Sequence, residues 1–313
     1  MFGHCVRTAR DLQWRRWPRA VGCAIVLFTA AHEATAAQAN FSAPEEAVAA
    51  MVDAVRLNNE TLMKVILGPG AGALIDSGDA VQDQRRRALF LNAYDEAHSL
   101  VPEGSNKAVL HVGKNAWPLP IPLVKSNGAW RFDTRAGQKE ILARRIGRNE
   151  LSAIQVCLAI VDAEREYAAR DVDGDGVLEY AQRIVSRPGK RDGLYWNAAP
   201  GEAPSPLGPF LAGAADSAYA GAMQLAPYHG YHYRILTAQG NKAPGGARNY
   251  VVGGRMIGGF AVIAYPARYG ASGVMSFIVN QDGVVYEKNL GRDSAAIARR
   301  MTAYNPDATW KRP

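Results

Sequence analysis

The fold of this chain depends on residues 138–170, which read QKEILARRIGRNELSAIQVCLAIVDAEREYAAR. Apolar residues recur there at helical spacing, so we expect a helix over most of the segment, interrupted or bent near Gly147. Its second part should bury four apolar side chains: Leu151, Ile154, Leu158 and Val161. Shorter helices and strands precede this segment and more strands follow it, an arrangement that predicts an α+β fold.

Before the long helix, three shorter helices lead into a meander of strands. Ser42–Glu45 has the pattern of a capping box, with a proline in the first turn of the helix that it opens. Two more helices are predicted over 62–67 and about 80–98. The period of the apolar residues then changes to two, which predicts three strands: 107–112, 119–125 and 130–132. Residues 40–137 therefore resemble, in outline, a compact NTF2-like or cystatin-like α+β unit.

The chain after the long helix is predicted to form an antiparallel sheet. A loop-rich stretch at 186–214 comes first, and a short apolar helix over about 214–224 follows it. Residues 280–283 turn one predicted strand into the next as a hairpin, and a final helix covers 294–303. The predicted strands are 231–237, 260–264, 274–279 and 284–288. This gives a second α+β unit, residues 138–313, in which the long helix packs on the sheet.

The first 36 residues have the order of a secretory signal peptide. Five arginines precede an apolar core at 20–31, and Ala34-Thr35-Ala36 follows as a small-residue cleavage site. This apolar core is well short of the ~20 residues that span a bilayer as a helix. We therefore expect residues 1–36 to be removed, which leaves a periplasmic or secreted protein without a transmembrane segment. A retained membrane anchor is the alternative.

Net charge and cysteine content limit the possible functions of the mature chain. The full sequence has 36 basic and 29 acidic residues, net +7, and removal of residues 1–36 leaves net +4. This small excess does not indicate nucleic-acid binding, which needs a concentrated basic surface. Cys5 and Cys23 leave with the signal peptide, so Cys157 remains alone and no internal disulfide is expected.

An acidic run at 171–182, DVDGDGVLEYAQ, is the clearest chemical motif of the sequence. Carboxylates at spacing two, with glycine at the sixth position for a sharp turn, match the loop of a helix–loop–helix calcium site. Gln182 occupies the closing position, where such loops carry a bidentate glutamate, so modest calcium affinity is expected. A solvated acidic loop without an ion is the alternative. The predicted calcium ligands are Asp171, Asp173, Asp175, the Val177 carbonyl, Glu179 and Gln182.

The loop after the acidic run is the candidate binding surface. It is long, rich in proline and glycine, and carries Tyr195 and Trp196. Long loops in compact domains are often functional. We expect a bound calcium ion to order this loop into a surface for an envelope protein, a peptide or a glycan. A structural cover over the sheet is the alternative.

A second group of aromatic and imidazole side chains lies at 228–233. Tyr228, His229 and His232 are candidate binding residues, but residues three apart on a strand face opposite sides, which disfavours a shared metal ion. A periplasmic hydrolase that combines a carboxylate of 171–179 with one of these histidines is the alternative function, since such an enzyme needs an acid and a base in one cleft. A non-catalytic role is expected, because no nucleophile or cofactor motif accompanies the acidic run.

Five segments of the mature chain resemble DUF2950, a family of uncharacterised exported bacterial proteins. They are WPLPIPLVK (117–125), WRFD (130–133), RIGRNEL (145–151), YHGYHYRIL (228–236) and GVMSFIVNQDGVVY (273–286). The segments are long, keep their order and extend over nearly the whole mature chain. The resemblance implies no reaction, because the function of that family is unknown.

A weaker resemblance links the second unit to the globular part of pilins and pseudopilins, in which a long helix packs on an antiparallel sheet. It is carried by the helix end EREYAARD (164–171) and the sheet that follows. Pilin helices extend from an apolar N-terminal stem, whereas charged residues from Lys139 to Arg148 precede this one. Assembly into a pilus is therefore not expected.

Overall fold

The computed structural model of the protein describes residues 38–76, 80–172, 174, 176–208 and 227–313. Residues Ala37–Pro313 form one compact unit. Helices and antiparallel sheets occupy separate parts of the chain, which confirms the α+β prediction. The predicted signal peptide at 1–36 and the predicted short helix at 214–224 lie outside the described residues.

Helices open the described chain: α1 Pro44–Arg56, α2 Glu60–Leu67, α3 Gly72–Ile75 and α4 Ala80–Glu96. The apolar face predicted on α1 is buried, with Val48 and Val52 each 4% exposed. On α4, Phe90 and Tyr94 are partly buried against the same core. The three helices expected before the long helix are therefore confirmed, and the short α3 is an addition to them.

The start of α1 differs from the predicted capping box. Ala43 is the N-cap and Pro44 is the first helical residue. Ser42 lies one residue too early for its hydroxyl to cap a first-turn amide, and Ser42 Oγ instead donates to the Glu46 carboxylate at 2.8 Å. The prediction of proline in the first turn is confirmed, and the prediction of a Ser42–Glu45 box is wrong.

The first sheet is antiparallel, with strand order β1-β2-β4-β5 and β3 paired to β2. Its strands are β1 His98–Pro102, β2 Lys107–Val112, β3 Trp117–Pro118, β4 Leu123–Ser126 and β5 Ala129–Phe132. The predicted strand 119–125 extends only from Leu123, because Pro120 and Pro122 have no N–H to donate to a neighbouring strand. Strand β1 has no counterpart among the predicted strands, since it is an edge strand with mostly exposed side chains and no apolar alternation.

The long helix, α5, runs without interruption from Thr134 to Ala168. It starts earlier than predicted because the Asp133 side chain accepts a hydrogen bond from the Ala136 amide at 2.9 Å and caps the helix. Gly147 lies within the helix, so the predicted interruption is wrong, and the alternative of a bend there stays a prediction. A glycine in a helix interior lowers its stability but does not by itself end it.

The buried face of α5 is rotated from the predicted one. Leu151 is 68% exposed, so its predicted burial is wrong, whereas Val161 is buried as predicted. Ile154 and Leu158 are half-buried at the margin of the face that contacts the second sheet. The centre of that face consists of residues spaced three and four apart: Ala153, Val156, Cys157, Ile160, Glu164 and Tyr167.

The described chain after α5 contains nine strands and a helix. The longer strands are β6 Tyr231–Leu236, β11 Ala261–Pro266, β12 Ser276–Asn280 and β13 Tyr286–Lys288. The short ones are β7 Ala238–Gln239, β8 Arg248–Asn249, β9 Val251–Val252, β10 Arg255–Met256 and β14 Ala303–Tyr304, and the helix is α6 Ser294–Arg300. The four longer strands and the final helix were predicted, and the two-residue strands were not.

The four longer strands form the second sheet, which is antiparallel in the order β13-β12-β11-β6. Helix α5 packs on β11 and β12, and α6 packs on β11. Every residue of β11 and of β12 is buried. The predicted hairpin closes through a turn in which the Gly283 amide donates to the Asn280 carbonyl at 2.9 Å. Alongside this sheet, β14 pairs with β7 in parallel and β9 pairs with β10 as a hairpin.

Two buried apolar clusters lie along the chain. The first draws its fully buried members from Ala47 to Phe132, and the second draws its members from Ala153 to Trp310. The predicted boundary between residues 137 and 138 falls between these clusters, and the division into two domains stays a prediction. Within the ranges that the structure describes, no helix combines the length and the apolar character needed to cross a bilayer.

Candidate functional site

The acidic run begins directly after α5 with a turn closed by Asp171. Its Oδ1 accepts a hydrogen bond from the Gly174 amide at 2.8 Å, and its Oδ2 accepts one from the Gly176 amide at 2.9 Å. Gly176 has φ of +85°, a left-handed conformation that suits glycine and matches the turn expected at the sixth loop position. The predicted ligands Asp173 and Asp175 lie outside the described residues.

The second half of the acidic run is attached to the β9–β10 hairpin. Glu179 Oε2 accepts a hydrogen bond from the Met256 amide, and Gln182 Nε2 donates to the Gly254 carbonyl, both at 2.8 Å. The Tyr180 amide donates to the Met256 carbonyl at 2.9 Å. Two of the predicted calcium ligands therefore anchor this segment to the hairpin.

The metal assignment stays a prediction. Val177, whose carbonyl is a predicted ligand, is half-buried between the turn and the anchored segment. Among the residues that the structure describes, no group of three or more His, Cys, Asp or Glu side chains is placed to hold a metal ion. Because Asp173 and Asp175 are outside that set, this observation does not test the calcium site.

Glu164 is a buried carboxyl that the sequence analysis did not single out. It is 0% exposed, and its Oε2 accepts a hydrogen bond from the Ala181 amide at 2.8 Å, which joins α5 to the end of the acidic run. Oε1 has no partner within the described structure. Burial raises the pKa of Glu164 well above its usual value. Glu164 lies four residues after Ile160 and three before Tyr167, so it is on the buried face of α5. This helical spacing could be read from the sequence.

The loop at 183–208 folds back on itself. The Leu194 amide donates to the Arg183 carbonyl at 3.1 Å, and the Ser186 amide donates to the Tyr195 carbonyl at 2.9 Å. Leu194 is fully buried and anchors the loop in the second core. Tyr167 on α5 donates through its hydroxyl to the Arg191 carbonyl at 2.8 Å. The loop is thus a fixed structure on the end of α5.

The first of two hollows next to this loop is polar and has a volume of about 440 Å³. Asp192 lies in its wall, 2.5 Å from Arg187 Nε and 3.7 Å from Arg183 Nε. Partial burial acts to raise the pKa of Asp192, but the Arg187 amide and guanidinium outweigh it and lower the pKa below its usual value. The other lining residues come from α5, the acidic run and the hairpin: Tyr167, Glu179, Tyr180, Gln182 and Gly254.

The second hollow, which we call the aromatic hollow, has a volume of about 400 Å³. Its lining includes both predicted aromatic residues and spans Val185–Arg191, Tyr195–Asn197 and Glu202. The Arg191 guanidinium lies 5.7 Å from the centre of the Trp196 ring, within cation–π range, and pairs with Glu202 at 3.0 Å. Both hollows include Arg187, so they are neighbours on the loop.

The aromatic hollow also contains polar and charged side chains. The Tyr195 hydroxyl donates to Asn197 Oδ1 at 2.6 Å. Trp196 Nε1 is buried and has no acceptor among the described residues. The charged lining residues are three bases, Arg187, Lys190 and Arg191, and one acid, Glu202. Arg191 pairs with Glu202 and Arg187 pairs with Asp192, so the excess positive charge at this aromatic site comes from Lys190.

The predicted binding residues Tyr228, His229 and His232 lie elsewhere, in the turn before β6 and on that strand. Tyr228 and Tyr231 exchange two backbone hydrogen bonds around a turn in which His229 has φ of +48°, and His229 is exposed. His232 is half-buried on β6, with its ring 5.5 Å from that of Tyr265. Partial burial lowers the pKa of both histidines, and the charge of Arg299 adds to the effect on His232. Hydrogen bonds and ring contacts within the described structure join neither histidine to Tyr195 or Trp196.

The arrangement required by the hydrolase alternative does not appear in the described part of the chain. The ion pairs among the described residues include no histidine. Asp171 and Glu179 accept hydrogen bonds from backbone amides. Cys157 is 0% exposed, and burial raises the pKa of its thiol to about 12, so its reactive thiolate form is suppressed.

Comparison with known protein families shows the family to which the chain belongs. A family model described as a protein of unknown function, DUF2950, matches residues 38–312. The chain belongs to this family. Searches of curated proteins and of solved structures give no significant match to it.

Two of the DUF2950 segments recognised in the sequence, 145–151 and 273–286, meet where α5 contacts the second sheet. Asn149 Nδ2 donates to the Ser272 carbonyl at 2.9 Å. Glu150 Oε1 accepts from the Val274 amide at 2.8 Å and from the Met275 amide at 3.0 Å. These contacts span more than 120 residues of sequence, so two of the family segments determine how the helix meets the sheet.

Proposed function

We propose that this DUF2950 protein is an exported, non-catalytic binding protein of the cell envelope that holds an anionic glycan in the aromatic hollow. The observation that carries the proposal is the Tyr195–Trp196 wall beside Arg187, Lys190 and Arg191. A volume of about 400 Å³ is within the range of small-molecule sites in proteins.

The chemistry of the hollow favours a sugar over a peptide. A sugar ring has an apolar C–H face that stacks on an aromatic ring and a rim of hydroxyls that bond to planar polar groups. The Trp196 ring provides the stacking surface, and Asn197 and Glu202 provide planar polar groups for the hydroxyls. Lys190, which adds positive charge beyond the Arg187–Asp192 and Arg191–Glu202 pairs, favours a carboxylate on that sugar.

Export and calcium belong to the same proposal. The charge, apolar core and cleavage pattern of residues 1–36 support export. We assign calcium to Asp171, Asp173, Asp175 and the Val177 carbonyl, with Glu179 and Gln182 directing the segment to the hairpin. Since Arg183 follows this segment immediately, an ion there would fix the start of the binding loop.

The glycan assignment is tested by isothermal titration of residues 37–313 with tetragalacturonate, an anionic sugar tetramer. We expect binding that weakens at least tenfold in Trp196→Ala, because a stacking aromatic is removed. Trp117→Ala is the matched control, since Trp117 is 61% exposed and does not line the hollow. Maltotetraose, which has no carboxylate, should bind more weakly than tetragalacturonate.

Two results would contradict the glycan assignment. Absence of tetragalacturonate binding, or equal loss in both tryptophan variants, would show that the hollow does not hold such a sugar. Tetraglutamate is the peptide comparison, and binding as tight as that of tetragalacturonate would assign the hollow to acidic peptides.

The calcium assignment is tested separately by thermal unfolding of the same protein. A ligand that binds only the folded state at 100 times its Kd adds about 2.7 kcal/mol of stability, so millimolar calcium should raise the midpoint if Kd is micromolar. Asp173→Ala should abolish the rise, and Asp162→Ala, at an exposed position on α5, should keep it. An equal midpoint with and without calcium would refute the assignment.

A further inference from the structure

A third hollow lies in the N-terminal half, far along the chain from the binding loop. Its volume is about 200 Å³. Helices α1 to α4, the β3–β4 connection and the first half of α5 line it. Its apolar lining residues are Met51, Val55, Met63, Leu67, Leu74, Ile75, Phe90, Leu119, Ile121 and Ile141.

The interior of this hollow suits an apolar group better than water. A buried water needs two to four polar partners, and the polar lining residues are confined to Asp83, Arg86 and Arg87 of α4. An engineered void of about 150 Å³ holds benzene, and by that scale this one holds about eight carbon atoms. The two methionines add a flexible lining that adapts to the ligand.

The charged groups of α4 indicate which head group such a ligand carries. Arg87 is fully engaged, because it donates to Asn58 Oδ1, to Glu60 Oε1 at 2.8 Å and to the Ile75 carbonyl at 2.9 Å. The Asp83 side chain is 8% exposed, and that of Arg86 is 67% exposed. Arg86 Nη1 forms an ion pair with Asp83 Oδ1 at 3.6 Å, which leaves its other guanidinium N–H groups without that partner. Because Arg86 is the exposed member of the pair, these remaining donors face solvent and can meet an anion.

We infer that this hollow binds a medium-chain carboxylate, with an alkyl chain of about eight carbons inside and the carboxylate at Arg86. The chain contributes affinity through apolar burial, and the head group fixes its direction. The inference does not depend on the glycan proposal, because the two hollows share no lining residue.

The test is an NMR titration of residues 37–313, labelled with ¹³C at the methionine methyl groups, with sodium octanoate. Met51 and Met63 line the hollow and their methyl signals should shift, whereas Met256, buried in the second core, should not. Butanoate should bind more than tenfold more weakly, because each buried CH₂ contributes about 0.8 kcal/mol. Shifts of all methionine signals together, or no shift of Met51 and Met63, would overturn the inference.

A comparison of two arginine variants tests whether the carboxylate end of the ligand lies at Arg86. Arg86→Gln should weaken octanoate binding about threefold to fivefold, the effect of losing one exposed ion pair, and leave octanol binding unchanged. Arg85→Gln is the control, because Arg85 is exposed on the same helix and does not line the hollow. Equal affinities of the unmodified protein for octanol and octanoate would refute the role of Arg86.

Discussion

The loop 183–208, which carries the proposed glycan site, and the second sheet are parts of one compact unit, yet they are stabilised in different ways. The sheet is held by apolar burial, since every residue of β11 and β12 is buried. The described part of segment 171–196 places only three fully buried apolar side chains in the second core, Ala181, Ile184 and Leu194. It is otherwise attached by polar contacts to the backbone, such as Glu179 to Met256 and Tyr167 to Arg191. Apolar burial over many residues yields more free energy than a few hydrogen bonds. The sheet should therefore determine global stability, and the loop should determine binding.

The largest effect is expected from truncation in the sheet. Phe277→Ala removes a ring that is 0% exposed and 5.8 Å from the ring of Tyr231, and it should lower the free energy of unfolding by about 3–5 kcal/mol. Urea unfolding followed by circular dichroism measures this loss. Val252→Ala, on the exposed hairpin, should change it by less than about 0.5 kcal/mol. A loss below about 1 kcal/mol for Phe277→Ala would contradict the role assigned to the sheet.

A backbone clash in the loop should have a smaller effect on stability and a larger one on binding. The new Cβ of Gly193→Ala would lie 2.7 Å from the Ser186 nitrogen and 2.8 Å from the Val185 carbonyl carbon. Both are backbone atoms of the paired segment, so the loop must shift, at a cost of about 1–3 kcal/mol. We expect tetragalacturonate binding to be lost while the circular dichroism of the folded state is retained. Unchanged binding would show that the paired segment does not shape the aromatic hollow.

The junction of helix and loop should show a pH dependence. The pKa of Glu164 is raised in the folded state, so between the unfolded-state pKa of about 4.3 and the native value the folded protein binds more protons than the unfolded chain. The free energy of unfolding should therefore fall as pH rises above about 4.3, by at most about 1.4 kcal/mol per pH unit. Glu164→Gln is uncharged at every pH and should lose this component. Parallel stability–pH curves for the two proteins would contradict the assignment.

The smallest effect is a stabilisation in α5. Gly147→Ala should raise the free energy of unfolding by about 0.5–1 kcal/mol, because alanine favours the helix and a Cβ there meets no atom within 4 Å. The same variant serves as the control for Gly193→Ala, whose Cβ has no such space. A destabilisation by Gly147→Ala would indicate that the helix requires glycine at this position.

The sequence predicted those parts of the fold that local patterns determine. The apolar runs of β6, β11 and β12 and the helical spacing of α1 gave elements close to the observed ones. Leu151 shows the limit of such patterns. The spacing of apolar residues identified the helix α5, but it did not determine which of those residues face the sheet. The two-residue strands have no periodicity to detect, and they form where distant backbone segments meet.

The candidate site was predictable in its residues and not in its contacts. The aromatic pair Tyr195 and Trp196 does line a hollow with basic side chains. Glu179 and Gln182 form hydrogen bonds with the hairpin, more than 70 residues further along the chain. Local sequence patterns do not predict hydrogen bonds over such a separation. Glu164 was overlooked because a carboxyl on a buried stripe contradicts the usual preference of the residue.

Amide hydrogen exchange with and without tetragalacturonate tests most directly whether the sheet determines global stability and the loop determines binding. In the free protein we expect the amides of β11 and β12 to exchange at the rate of global unfolding, and those of 183–197 to exchange faster through local opening. The sugar should slow exchange specifically in 183–197 and leave other segments as they are, apart from the uniform change that binding to the folded state produces. Slowing confined to the turn at 228–231, or no segment-specific slowing, would contradict the account.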